Sequence, residues 1–156
     1  MAKTQRAEPI SSSFTIEQEI EIDAPRERVW DALVDVGGWW CHHETETRGE
    51  LVLEPKIGGR FYERFGGEDG ALWGTVIWMK RPEVLRLTGP LGMDLPATNF
   101  YEYALTAKGS KTVLRLTQRS VGLMEPGHKN AYDGGWKALW VHLKALAEKG
   151  VRYQPA

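Results

Sequence analysis

Cysteine is almost missing from this 156-residue chain, where Cys41 stands alone. Its isolation excludes an intramolecular disulfide and every cysteine-only metal cage, and it fits a reducing compartment. Long apolar runs are missing too. The first twenty residues hold nothing that could form the core of a signal peptide, and no later stretch approaches the ~20 apolar residues of a membrane span. Charge of either sign is balanced: 20 Lys and Arg against 21 Asp and Glu leave a formal net charge of -1. A sequence-wide attraction to phosphate backbones or anionic lipid is thereby excluded, and nucleic acid is not expected as a partner. The remaining expectation is a soluble protein of the cytoplasm. Its length suits one domain, with roughly two-thirds of the unfolded surface buried on folding and room for an internal pocket.

What the chain has in excess is large aromatics: seven Trp, five Tyr and four Phe. Such side chains either fill a core or line a cavity for an apolar ligand. Their placement follows from the pattern of elements. Residues 1–13 are polar and end in Ser11-Ser12-Ser13, which reads as a flexible leader before a domain spanning 14–156. From Phe14 to Ile22 apolar residues alternate with polar ones, as in a half-buried strand. Pro25 suits the first turn of a helix reaching Val34, with Asp23 placed to accept from its free amides. Gly37-Gly38 ends that helix, and Trp39-Trp40 open an irregular or short helical stretch.

Six short strand-like runs follow, about Leu51–Leu53, Arg60–Phe65, Leu72–Met79, Val84–Gly89, Asn99–Thr106 and Thr112–Ser120. Gly58-Gly59 and Gly66-Gly67 lack the helix start of a phosphate loop and read as turns. The last element is a helix of about sixteen to eighteen residues, stopped by Gly150. It places Tyr132, Trp136, Leu139, Trp140, Leu143, Leu146 and Ala147 on one stripe. Strand, one or two short helices, six strands and a long helix make an α+β architecture, with an antiparallel sheet of six to seven strands covered on one face.

Several of these segments also carry a resemblance. Ile20-Glu21-Ile22-Asp23-Ala24-Pro25 with Val29-Trp30-Asp31-Ala32-Leu33 is one, and Leu53 to Glu63 with its Pro55 and Gly58-Gly59 is another. Trp73-Gly74-Thr75-Val76 and the final Gly135-Trp136 helix complete the set. Together they resemble the heat-shock-protein ATPase-activator-homologue branch of the START and birch-pollen-allergen superfamily, from about Ile16 to Lys149. The resemblance implies a helix-grip fold, a curved sheet wrapped around the C-terminal helix. Superfamily members include lipid and sterol carriers, hormone and metabolite binders, polyketide cyclases and chaperone co-regulators, so the fold implies no single activity. The branch takes its name from larger proteins with an additional N-terminal domain; with a thirteen-residue leader in that place, a chaperone partner is not expected.

The candidate ligand-binding residues are those whose parity or stripe points inward, together with Trp39 and Trp40 near the proposed cavity end. They are Trp39, Trp40, Phe61, Glu63, Asn99, Tyr101, Tyr103, Gln118, Tyr132, Trp136 and Trp140. Each has a structural reading beside it, since aromatic stripes also simply pack. Glu63 shares parity with Phe61 and Phe65, so it is either a carboxylate in apolar surroundings, suited to proton transfer, or the partner of a neighbouring basic group. Gln118 shares parity with Leu114 and Leu116 and offers an amide to a ligand. The loop Thr88–Ala97, with Leu91, Met93 and Leu95 exposed, is either a lid or a plain connection.

Cys41-His42-His43-Glu44, with Glu46 nearby, is the one cluster of ligand-type residues, but neighbours in sequence rarely converge on one ion, and neither a metal nor a cofactor is expected. His128 and His142 read as solvated. The leading expectation is binding of a small hydrophobic or aromatic molecule, lipid-like or polycyclic, between sheet and C-terminal helix. The alternatives are a cyclase, dehydratase or hydrolase using Glu63 with Tyr101 or Tyr103, and a protein-interaction module, either a chaperone cofactor or a homodimer built on a sheet edge.

Overall fold

The computed structural model describes residues 8–155. Seven strands form one antiparallel sheet: β1 (Ile10–Ile22), β2 (Glu50–Leu53), β3 (Arg60–Gly66), β4 (Asp69–Lys80), β5 (Val84–Gly89), β6 (Ala97–Lys108) and β7 (Lys111–Met124). Their order is β1-β7-β6-β5-β4-β3-β2, a meander closed on one side by the first strand. Between β1 and β2 lie the helix α1 (Arg26–Val34) and a single 3-10 turn at Val36–Gly38, and the chain finishes with the helix α2 (His128–Lys149). This is the expected helix grip, a curved sheet holding the C-terminal helix.

Period-two alternation explains the sheet. On β6, Asn99, Tyr101, Tyr103 and Leu105 are buried, whereas Phe100, Glu102 and Ala104 are only half-buried on the outer face. On β7, Leu114, Leu116, Gln118 and Ser120 turn inward in the same way. The expected leader ends earlier than its sequence suggested. Ser11, Ser12 and Ser13 belong to β1 and pair with Leu123, Gly122 and Val121, because backbone pairing to a long β7 outweighs the low strand preference of serine. Residues 1–7 of the expected leader lie outside the described residues.

The helix termini also differ in detail. Pro25 is itself the N-cap of α1, with no side-chain cap. Asp23 does not cap; its backbone N–H instead donates to Glu148 Oε1, tying the start of α1 to the end of α2 at 2.8 Å. The last helix has 22 residues and begins at His128, earlier than its apolar stripe indicates. Gly150 closes it in the left-handed conformation, as only glycine does at no cost.

Two departures from strict alternation shape the site. Between Phe61 and Tyr62 the pairing of β3 with β4 shifts, so Phe61 faces Gly74 while Tyr62 faces Leu72. The extra residue on β4 is Trp73, and the bulge aims its indole inward, onto the same side as Val76. A second shift after Arg64 takes Phe65 off the concave face, leaving it 39% exposed although Phe61 and Glu63 remain inside.

Candidate functional site

The expected cavity between sheet and helix is for the most part filled by side chains. Trp136 stacks on Trp140 at 5.4 Å, and Trp140 on Trp39 at 6.3 Å. Tyr103 meets both Trp39 and Trp136 edge-on, and Tyr101 packs beside it. The indole N–H groups of this column are satisfied. Trp136 donates to Gln118 Oε1 and Trp140 to Gln18 Oε1, each at 2.7 Å, and Trp39 donates to the Leu33 carbonyl at 3.1 Å. That carbonyl lies in the last turn of α1, where no intrahelical donor remains, so Trp39 acts as a side-chain cap.

Asn99 and Gln118 are committed in the same way. Gln118 Nε2 and Ser120 Oγ both donate to Asn99 Oδ1, while Asn99 Nδ2 donates to the carbonyls of Gly89 and Pro90. This buried network joins helix, sheet and the 88–97 connection, and none of its polar groups is free for a ligand. The Tyr101 hydroxyl donates to the Trp73 carbonyl, directly over Gly74, where a Cβ would collide with it. Burial pushes the Tyr101, Tyr103 and Tyr132 hydroxyls well above the usual phenol range.

Glu63 faces inward, as alternation implies, but it is no cavity acid. Its carboxylate is fully buried and accepts from His43 Nδ1 at 3.0 Å, Glu44 N at 2.8 Å and Gly49 N at 2.9 Å. Those donors come from the irregular segment after the 3-10 turn, so Glu63 fastens that segment to β3. His42 turns the other way, and its Nε2 donates to the Gly135 carbonyl on α2 at 3.0 Å. Two adjacent histidines thus anchor one segment to opposite sides. Among the described residues no three His, Cys, Asp or Glu side chains converge as metal ligands. His142 is not simply solvated, since its ring lies 4.5 Å from that of Tyr153.

What stays open is a pocket of about 200 Å³ at one end of the grip. Trp40 and His42 supply one wall, Trp73 of β4 another, and Ala131, Tyr132, Gly135, Trp136 and Leu139 of α2 a third. Leu91 and Gly92 close it from the 88–97 connection. Of the sequence candidates, only Trp40, Tyr132 and Trp136 line this space. Trp39, Phe61, Glu63, Asn99, Tyr101, Tyr103, Gln118 and Trp140 lie in the packed region around it.

The 88–97 connection is pinned inward rather than poised as a loose lid. Leu91 was read as exposed, yet it is buried, with a φ of 48° that a branched side chain adopts only under strain. Its N–H donates to the Trp73 carbonyl at 2.9 Å and its carbonyl accepts from the Tyr132 hydroxyl. Gly92 is required here: its φ is 76°, and a Cβ would lie 2.8 Å from the Trp73 ring. Near the entrance, the carboxylates of Glu44 and Asp94 raise the Tyr132 hydroxyl further, after burial, and burial together with Glu63 and Asp94 holds the Glu44 carboxyl above its ordinary range.

Residues 23–148 match the family of activator of Hsp90 ATPase homolog 1-like proteins. The chain belongs to this family. It therefore lies in the START and birch-pollen-allergen superfamily, as the resemblance implied. Solved structures agree on the fold of this family member. A protein of unknown function from Staphylococcus aureus is 14% identical, with a TM-score of 0.70 over 90% of this chain and 96% of its own. A Mesorhizobium loti protein is 22% identical, with a TM-score of 0.64 over 87% and 98%. CalU16 from Micromonospora echinospora is 20% identical, with a TM-score of 0.60 over 97% and 86%. No curated protein matches the sequence. Among the described residues no helix is long and apolar enough to cross a membrane.

Proposed function

We propose that this protein binds a small aromatic molecule in the pocket at the Leu91 end of the grip. The observation that carries this reading is a preformed apolar space whose walls are held in place independently of any ligand. Leu91 is fixed from β4 and from α2, His42 from α2, and the segment bearing Trp40 from Glu63. Walls fixed in advance reduce the ordering cost of binding.

Volume narrows the ligand. Pockets for drug-sized molecules run from ~300 to 1,000 Å³, and an engineered apolar cavity of about 150 Å³ admits benzene. A space of about 200 Å³ suits one or two fused rings. The larger lipid-like and polycyclic ligands expected from sequence do not suit it, because Trp39, Trp136, Trp140 and Tyr103 occupy the volume they would need. The proton-transfer reading is not carried forward, since both Glu63 oxygens are engaged away from the pocket.

Tryptophan fluorescence titration tests the reading, because Trp40, Trp73 and Trp136 all line the space. Naphthalene should give saturable quenching and palmitate none. Saturation by palmitate alone would contradict the pocket assignment.

A further inference from the structure

The charged groups that act on Tyr132, in the wall of the pocket, are both carboxylates, Glu44 and Asp94. Geometry places them at its edge. Gly92 closes the pocket, and a methyl added there would stand 3.3 Å from Glu44 Oε1 as well as against the Trp73 ring. Asp94 follows on the same connection and bears on Glu44 as a like charge. Both side chains are exposed, so the apolar interior ends in an acidic rim that touches water.

Nothing basic offsets this rim. Among the described residues neither carboxylate forms an ion pair, and no Lys or Arg lines the pocket. Glu63, which accepts from the Glu44 N–H, adds further negative charge behind it. The partial positive charge of a helix start fades within its first turn, and Tyr132, Gly135, Trp136 and Leu139 lie beyond that turn of α2. Two like charges without a counterion repel each other, and a cation brought beside them relieves the repulsion.

Interior and rim therefore ask for different chemistry in one ligand. The aromatic interior takes a flat ring. The rim favours positive charge that remains in water, where an ammonium group keeps its hydration and no charge has to be buried. A carboxylate in the same position would be repelled, and a hydroxyl would gain nothing from the two charges. A short alkyl tether lets the ring enter while the nitrogen stays outside.

We infer that the pocket selects an aromatic primary amine, its ring held between the aromatic walls and its ammonium group lying against the Glu44 and Asp94 carboxylates. The inference rests on the pocket being the ligand site and specifies the charge that site reads. The walls contribute affinity for any ring of suitable size, whereas the rim separates a cationic ligand from a neutral or anionic one.

Three probes that share a naphthalene ring test it by calorimetric titration of the full chain: 2-naphthylmethylamine, 2-naphthylmethanol and 2-naphthoate. At low salt the amine should bind about threefold to tenfold more tightly than the alcohol, the scale of one or two exposed ion pairs. 2-Naphthoate should bind more weakly than either. The preference for the amine should shrink to near parity in about 1 M salt, where charges are screened within roughly 3 Å. Combining Glu44→Gln with Asp94→Asn should abolish it. Both side chains are exposed and Glu44 meets Glu63 only through its backbone N–H, so these changes leave the packing in place. The salt series on the unaltered chain decides the matter even if the variant folds poorly. Equal affinity for amine and alcohol overturns the amine inference and leaves the pocket reading standing. So does a preference that survives high salt or the double substitution, and so does tightest binding by 2-naphthoate. Binding by none of the three overturns the pocket reading itself.

Discussion

Trp39 and Trp40 are consecutive residues, both buried, with ring centroids 5.4 Å apart, yet they belong to regions built in different ways. Trp39 lies in the filled part of the grip. Its ring stacks on Trp140, and its N–H caps the last turn of α1. Trp40 lies in the wall of the open part, packed edge-on against Phe61, Trp73 and Trp136, with its N–H unpartnered. Burial does not distinguish the two. What distinguishes them is whether the one polar atom of the side chain is satisfied from within the protein. A partnered indole contributes a hydrogen bond as well as packing to the fold; a buried unpartnered one contributes packing alone.

The comparison can be broken at its filled end first. Trp140→Ala removes a stacked ring from the column and leaves Gln18 Oε1 without its indole donor. Urea unfolding should show a loss of ~3–5 kcal/mol, the usual range for truncating a buried Trp. A loss below about 1 kcal/mol would mean that the column is not a structural core.

The adjacent pair gives the sharper test. Trp39→Phe leaves a buried helix carbonyl unpaired, whereas Trp40→Phe removes a donor that had no partner, so the first should cost ~1–3 kcal/mol more than the second. Equal costs in unfolding experiments would remove the distinction drawn between the two regions.

Raising the pH probes both regions at once. In the unfolded chain a tyrosine ionises near about pH 10, while burial keeps Tyr101, Tyr103 and Tyr132 protonated to higher pH when folded. Their contribution is therefore fully present below about pH 10 and is lost as pH rises beyond it, at ~1.4 kcal/mol per pH unit for each group. Unfolding free energies at pH 9, 10 and 11 should be flat and then fall; a rise above pH 10 would contradict the burial of these hydroxyls.

Most of the fold was legible because its elements follow simple periods. The inward parity of Asn99, Tyr101 and Tyr103 and the stripe from Trp136 to Ala147 both appear as alternation and helical spacing alone imply. The site was less legible for three physical reasons. Trp73 is turned inward by a bulge, which strict alternation cannot anticipate. Leu91 is drawn under by hydrogen bonds to two other elements, whereas a loop rich in Gly and Pro reads as exposed. Glu63 has the parity of a cavity acid, but its partners come from residues 43–49, a proximity that only the folded chain reveals. Gln18 could have been found, because it is a lone amide on the apolar parity of Ile16 and Ile20 and answers the donor of Trp140.

The pair Gly134-Gly135 in the first half of α2 leaves room for change in the pocket. Around Gly134 there is open space, so a side chain there would alter only the helix's own preferences. At Gly135 a single added methyl would stand 3.4 Å from His42 Nε2, at the edge of the pocket. One codon on this helix can thus make the pocket smaller without disturbing the stacked core beneath it.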